Sequence, residues 1–177
     1  MSLKFPKDPA GGPPPPLVFL ALGSNRGNST ETILLAMDRL QQLSPAPLRR
    51  SSLWQTTPVD CPPGSPPFVN AVVGLIPSTA ETPETLLRKL QALEKEFGRQ
   101  PKKMPNEARP LDLDLIAFGS LTRSTTNLIL PHPRAHQRRF VLQPLGEIAR
   151  DLVLPGQNKT VARLLAALPP DEAMRRL

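Results

Sequence analysis

The chain has 177 residues, 39% of them hydrophobic, with 24 prolines, one cysteine and a formal net charge of +7. That length suits one domain able to bury a core without staples, and a single cysteine, Cys61, excludes an internal disulfide and points to a reducing compartment. A pI near 10.3 favours anionic partners such as nucleotides, nucleic acid or acidic surfaces, and no apolar run approaches the roughly 20 residues of a membrane span, so a cytoplasmic protein with no membrane partner is expected.

Residues 1–16, MSLKFPKDPAGGPPPP, are rich in Pro and Gly and read as a flexible or polyproline tail before a single domain over 17–177. The continuous apolar run from Leu17 to Leu22 predicts a buried strand, and GSNRGN (23–28) a turn. Asn28 then caps a helix with Glu31 in capping-box position, and Ile33, Met37, Leu40 and Leu43 recur at helical spacing until Pro45 and Pro47 stop it. Residues 48–56 are strand-like, TPVDCPPGSPP from Thr57 is a proline-stiffened loop, and FVNAVVGLI (68–76) is a β-branched strand. Thr82 caps a second helix with Pro83 at its first position, Leu86, Leu87, Leu90, Leu93 and Phe97 form its stripe, and Gly98 ends it.

RQPKKMPNEAR (99–109) is a basic loop with no hydrophobic period. RPLDLDLIAF (109–118) follows as a strand, with Leu111, Leu113 and Leu115 on one face and Asp112 and Asp114 on the other, where the run continues into Ile116 and Phe118. NLILP (127–131) predicts a further short strand, and 140–148 and 160–168 two more helices. The order β-α-β-β-α-β plus C-terminal additions predicts an α+β protein of the ferredoxin-like type: an antiparallel sheet with helices on one face.

The chemistry concentrates on the aspartates. Positions i and i+2 of a strand stand about 6.6 Å apart on one face, where two carboxylates repel and either charge is costly to bury. A divalent cation removes that conflict, and Mg²⁺ favours one or two carboxylates shared with phosphate oxygens. Taken alone, DLD is better explained by an edge strand whose aspartates are solvated or paired to arginines. Its company shifts the balance: Arg99, Lys102, Lys103 and Arg109 lie upstream, and His132, Arg134, His136, Arg138 and Arg139 downstream. Carboxylates ringed by cations are the parts of a phosphoryl-transfer site. GSNRGN matches neither phosphate-loop pattern, Cys61 has no evident base, and the two histidines lack a zinc-site pattern. Asn70, inside an apolar strand, needs partners for its amide, either a neighbouring loop or the edge of a heterocycle. Phe68 and Phe140 suit core packing or the stacking of a flat ring.

The stretches LALGSNRGN, SSLWQTTPVD, PFVNAVVGL, LEKEFGR, ARPLDLDLIAFG, LPHPRAHQRRFVLQPLGEIA and LVLP, in this order from about Leu17 to Pro155, resemble the 6-hydroxymethyl-7,8-dihydropterin pyrophosphokinases of folate biosynthesis. The resemblance implies transfer of pyrophosphate from ATP to the pterin hydroxymethyl group with release of AMP. It implies two Mg²⁺ ions held by Asp112 and Asp114, and Arg99 and Arg109 acting on the phosphates from the family's active-site loop. Glu94, Lys102, His132 and Arg138 would complete the ATP site. Gly23, Ser24, Thr56, Pro58, Val59, Phe68, Asn70 and Phe140 would form the pterin site, with Phe68 and Phe140 on either side of the ring. The chain departs from the family at 106–108, NEA in place of the frequent Trp-Gly-Pro, at Phe68 where Tyr is common, and at Asn127 where Arg is. A monomer that binds no nucleic acid is expected. The alternatives are a basic ferredoxin-like nucleic-acid-binding module, disfavoured by the absence of tyrosine and of an RNP-like core, and an inactive relative, disfavoured by intact Asp112, Asp114, His132 and Arg138.

Overall fold

The structure is a computed structural model describing residues 16–58, 61, 63–100, 107–171 and 173–177. The expected tail therefore lies outside the described residues, except for Pro16. Along the chain run β1 (Val18–Ser24), α1 (Ser29–Gln41), β2 (Arg49–Arg50), β3 (Trp54–Thr56), β4 (Phe68–Leu75), α2 (Pro83–Glu96), β5 (Asp112–Phe118), β6 (Arg123–Ser124), β7 (Ile129–Leu130), a 3-10 turn (Ala135–Gln137), α3 (Arg139–Ile148), α4 (Val161–Ala167) and β8 (Arg175–Arg176). The main sheet is antiparallel in the order β5-β1-β4-β3-β8, and β2 also pairs with β4. This is the expected α+β, ferredoxin-like arrangement.

Local signals account for the starts of α1 and α2. The Asn28 side chain accepts from the Glu31 amide and donates to the Glu31 carboxylate at 2.9 Å. Thr82 and Thr85 exchange side-chain and backbone hydrogen bonds at the head of α2, with Pro83 next to the cap. The expected strand over 48–56 divides in two. At the break the Ser51 amide donates to Val72 O (3.0 Å) and the Ser51 hydroxyl accepts from the Val72 amide (2.9 Å), so a side chain takes over one rung of the ladder. NLILP does form a strand, β7, but among the described residues it pairs only with β6, in a separate ribbon.

Alternation along the central strands builds two cores. Val18, Leu20, Leu22, Leu113 and Leu115 face α1 and α2, where Ile33, Met37, Leu40, Leu86 and Leu90 are almost fully buried. Phe19, Val72 and Ile116 face α3 and α4, meeting Val141, Leu142, Leu145 and Val161. Helices of the expected pattern thus cover one face, and the C-terminal additions cover the other. The register against β1 slips between Phe19 and Leu20, so β5 carries a bulge at Ile116. Because of it Phe118 returns to the leucine face rather than sharing a face with the aspartates as expected. Strand β8 had no sequence signal: Arg175–Arg176 has no apolar alternation, and it joins the sheet edge by backbone pairing to β3. No helix among the described residues is long and apolar enough to cross a membrane.

Candidate active site

The sheet register lays out the site. Asp112 lies opposite Gly23, Gly23 opposite Asn70, and Asp114 opposite Ala21. Both residues beside the aspartates on β1 are therefore small. The α3 layer begins only at Arg139, which leaves this end of the sheet open as a cleft lined by Gly23, Thr56, Phe68, Asn70, Asp112, Asp114 and Phe140. A Cβ on Gly23 would stand 3.3 Å from Asn70 Oδ1, 3.8 Å from the Phe68 ring and 3.9 Å from Asp112 Cβ, so the missing side chain is what keeps the floor clear. The amide of Asn70, 6% exposed, donates to the Thr56 hydroxyl at 2.7 Å, which leaves Oδ1 as the acceptor beside Gly23.

Beside Gly23, Asp112 is held from both sides. Arg99 Nη1 reaches its Oδ1 at 2.9 Å and Arg109 Nη1 its Oδ2 at 2.8 Å. Arg99 also pairs with Glu94, whose carboxylate accepts from the Leu113 amide at 2.8 Å. Burial raises Glu94 above the ordinary carboxylate value, opposed by that amide and by Arg99. The side chain of Asp114 is 40% exposed to the cleft and has a looser partner, Arg138 Nη1 at 4.0 Å. Its pKa is raised, first by the protein packed around it and then by the charge of Asp112.

His132 and Arg138 come from the segment between β7 and α3. The His132 amide donates to Ile116 O at 2.8 Å, which fastens that segment to β5. His132 Nδ1 accepts from the Arg134 amide at 3.2 Å, which assigns the ring proton to Nε2. Burial lowers the His132 pKa, and the charges of Arg138 and Arg134 act the same way against Asp114. Burial likewise lowers Arg138, whose guanidinium lies 5.4 Å from the centre of the Phe140 ring.

Of the residues singled out in the sequence, Gly23, Thr56, Phe68, Asn70, Arg99, Arg109, Asp112, Asp114, His132, Arg138 and Phe140 meet in this one cleft. Glu94 stands behind it, touching Arg99 and the β5 backbone. Ser24 is fully buried and turned toward α1, its hydroxyl donating to Ser29 at 3.0 Å, and neither it nor Pro58 lines the cleft. Val59 and Lys102 lie outside the described residues. The downstream basic run divides: Arg134 lines the cleft, whereas Arg139 donates to the carbonyls of Leu165, Leu168 and Pro169 at the end of α4. Thr57 and Cys61 also line the cleft and had no distinguishing signal, since a loop's path across a pocket is not written in its composition.

The donor set fits Mg²⁺ of a particular kind. Asp112 and Asp114 offer hard oxygens side by side, and among the described residues no third His, Cys, Asp or Glu joins them to close a protein cage. A cation held here must complete its shell from phosphate oxygens and water, as Mg²⁺ does and structural zinc does not.

Paired carboxylates, facing guanidinium groups and joined to a small neutral pocket on an antiparallel sheet, are an arrangement able to take a divalent cation and phosphate. The profile of the 7,8-dihydro-6-hydroxymethylpterin-pyrophosphokinase family matches residues 19–150. The chain is 39% identical over 153 residues to the 2-amino-4-hydroxy-6-hydroxymethyldihydropteridine pyrophosphokinase of Pseudomonas aeruginosa, covering 86% of this chain and 91% of that one. The Haemophilus influenzae protein of the same name is 39% identical over 141 residues, covering 79% and 86% respectively. A folic acid synthesis protein of Pneumocystis carinii is 38% identical over 145 residues, 82% of this chain, and the chain spans 19% of its length. Among solved structures, Plasmodium falciparum HPPK-DHPS with pteroate superposes with a TM-score of 0.72 at 12% identity; the match takes in 94% of this chain and about half, 49%, of that one, and it speaks to the fold. This chain belongs to the 7,8-dihydro-6-hydroxymethylpterin-pyrophosphokinase family.

Proposed function

We propose that the protein transfers the β,γ-pyrophosphoryl group of ATP to the hydroxymethyl oxygen of 6-hydroxymethyl-7,8-dihydropterin. A bond forms between that oxygen and the β-phosphorus, the bond from the β-phosphorus to the oxygen bridging to the α-phosphorus breaks, AMP leaves, and the hydroxyl proton is released. The observation that carries the reading is the meeting, in one cleft, of Asp112 and Asp114 with Arg99, Arg109, His132 and Arg138 and with Asn70, Phe68 and Phe140.

Transfer at phosphorus depends on alignment and charge neutralisation more than on covalent help. Two Mg²⁺ ions on Asp112 and Asp114, when bound, would neutralise triphosphate oxygens and lower the barrier to attack by the hydroxymethyl oxygen. Arg99 and Arg109, at present paired with Asp112, carry the cationic forks suited to the phosphates. His132, with its proton on Nε2, donates to a phosphate oxygen, and Arg138 adds charge from the Phe140 side. Glu94 orients Arg99. On the pterin side Asn70 Oδ1 accepts from the ring's N–H edge, Thr56 holds the amide in that orientation, and the two phenylalanines pack on the ring faces. No carboxylate or imidazole is needed as base in this scheme.

A nucleic-acid-binding module gains no support, because Arg99, Arg109, Arg134 and Arg138 converge on a recess holding two aspartates rather than on an open sheet face. A monomer in the cytoplasm completes the proposal, consistent with the single cysteine. The test is AMP formation from ATP, Mg²⁺ and the hydroxymethyl pterin, with light scattering for the oligomeric state. No AMP above background from folded protein sinks the enzyme reading.

A further inference from the structure

We propose that Asn25 is a positioning residue for the transfer reaction, acting through Arg109; the proposal rests on the function assigned above. Asn25 follows β1 directly and is 1% exposed, and each of its polar groups named here reaches another loop of the site. Its main-chain amide donates to Arg109 O at 3.2 Å, its Oδ1 accepts from the Arg109 amide at 2.9 Å, and its Nδ2 donates to Pro66 O at 3.4 Å. The Arg109 residue is therefore bracketed at both its N–H and its C=O by one buried residue just past the end of β1. The third tie runs to the loop that enters β4 two residues before Phe68.

The arrangement uses both halves of the asparagine amide. One planar group must accept from one segment and donate to another, over the reach of a short side chain. Aspartate supplies the acceptor alone, and alanine supplies neither. The three residues from Arg109 to Asp112 make the consequence local: Arg109 Nη1 is 2.8 Å from Asp112 Oδ2, so a shift of the Arg109 backbone moves its guanidinium across the seat of the phosphates. A displacement of about 1 Å in a charge that acts at the transition state is enough to cost up to about a hundredfold in rate. A merely structural turn residue would instead lower stability and leave the turnover of the folded fraction intact.

The experiment compares Asn25→Ala and Asn25→Asp with the wild type in two readouts. With substrates, Asn25→Ala is expected to lose about tenfold to a hundredfold in kcat with KM for ATP and pterin within about threefold, and Asn25→Asp to recover most of that loss because it keeps the acceptor for Arg109. Without substrates, amide exchange at Arg109 is expected to quicken about tenfold in Asn25→Ala and to stay slow in Asn25→Asp, while Leu20 and Val73 in the central strands keep their protection in both. A kcat for Asn25→Ala within about twofold of wild type overturns the proposal, as do equal losses in the two variants or a general loss of core protection. Should Asn25→Ala not fold, Asn25→Asp decides alone: a slow Arg109 amide supports the proposal and a fast one overturns it. The exchange readout needs no turnover, so a wild type that forms no AMP would defeat the assigned function and leave the tie between Asn25 and Arg109 measurable.

Discussion

The two faces of the sheet are built from the same strands and end differently. On the face toward α1 and α2, Leu20, Leu22, Leu113 and Leu115 run the length of the strands into one closed core. On the face toward α3 and α4 the core stops at Phe19, Val72 and Ile116, and the strand ends beyond it carry Asp112, Asp114, Gly23 and Asn70 into a cleft. Alternation makes the first face the support of the second: each aspartate is flanked along the chain by leucines whose burial holds the strand still. A rigid floor beneath exposed charge is what preorganised phosphate chemistry requires.

The largest expected effect breaks the cleft face and spares the other. Asp114→Asn should lower turnover about a thousandfold or more, several kcal/mol of lost charge stabilisation. The same change should raise the melting temperature of the ligand-free protein at neutral pH. Asp114's pKa is raised in the fold, so its contribution to stability is lost as pH rises through that value, and asparagine escapes the loss. The gain should vanish below the ordinary aspartate value of 3.8, which thermal melts across pH would check. A variant that turns over normally refutes the role of Asp114.

Leu113→Ala attacks the opposite face at the same strand. Leu113 is 5% exposed, and the cavity left should cost about 2–5 kcal/mol of stability. Denaturant unfolding measures it, and a loss under about 1 kcal/mol would show that the leucine face is not the support described.

Gly23→Ala sharpens the comparison at the pterin end. The new methyl would press Asn70 Oδ1 at 3.3 Å, and overpacking of this size costs about 1–3 kcal/mol. It is expected as a fall in melting temperature of that size together with a rise of about tenfold in KM for the pterin. An unchanged KM would mean that Asn70 does not read the substrate. Thr56→Val is the mildest change. It removes the acceptor that fixes the Asn70 amide, and a loss of about 1 kcal/mol in pterin affinity, about fivefold, should appear by calorimetry.

Much of this was legible in advance because the responsible forces are local. Asn28 and Thr82 cap helices through contacts three residues long, and Leu86, Leu90 and Leu93 declare their helix by period. Asp112 and Asp114 declare a shared face by parity. What stayed hidden depends on groups far apart in sequence. The rung supplied by the Ser51 hydroxyl needs Val72 across the sheet, and β8 needs the free edge of β3. Asn25 looked like one more turn residue, since its partners at Arg109 and Pro66 lie 84 and 41 positions away. The basic run after β7 looked uniform, yet Arg138 turns to Asp114 and Arg139 to the carbonyls at the end of α4.

The sequence by itself determined the periods: where the long helices and the central strands run, and that two carboxylates share a face with cations near in the chain. These follow from dihedral geometry, capping and hydrophobic patterning, all set within a few residues. Only the tertiary structure decided that β5 lies beside β1, which puts Asp112 opposite Gly23 and, through β4, in line with Asn70. It alone decided that α3 starts late enough to leave that row uncovered, and that both Arg99 and Arg109 close on Asp112. Pairings of this kind arise from the packing of segments against each other, where many registers satisfy the local rules and the burial of two whole faces selects one.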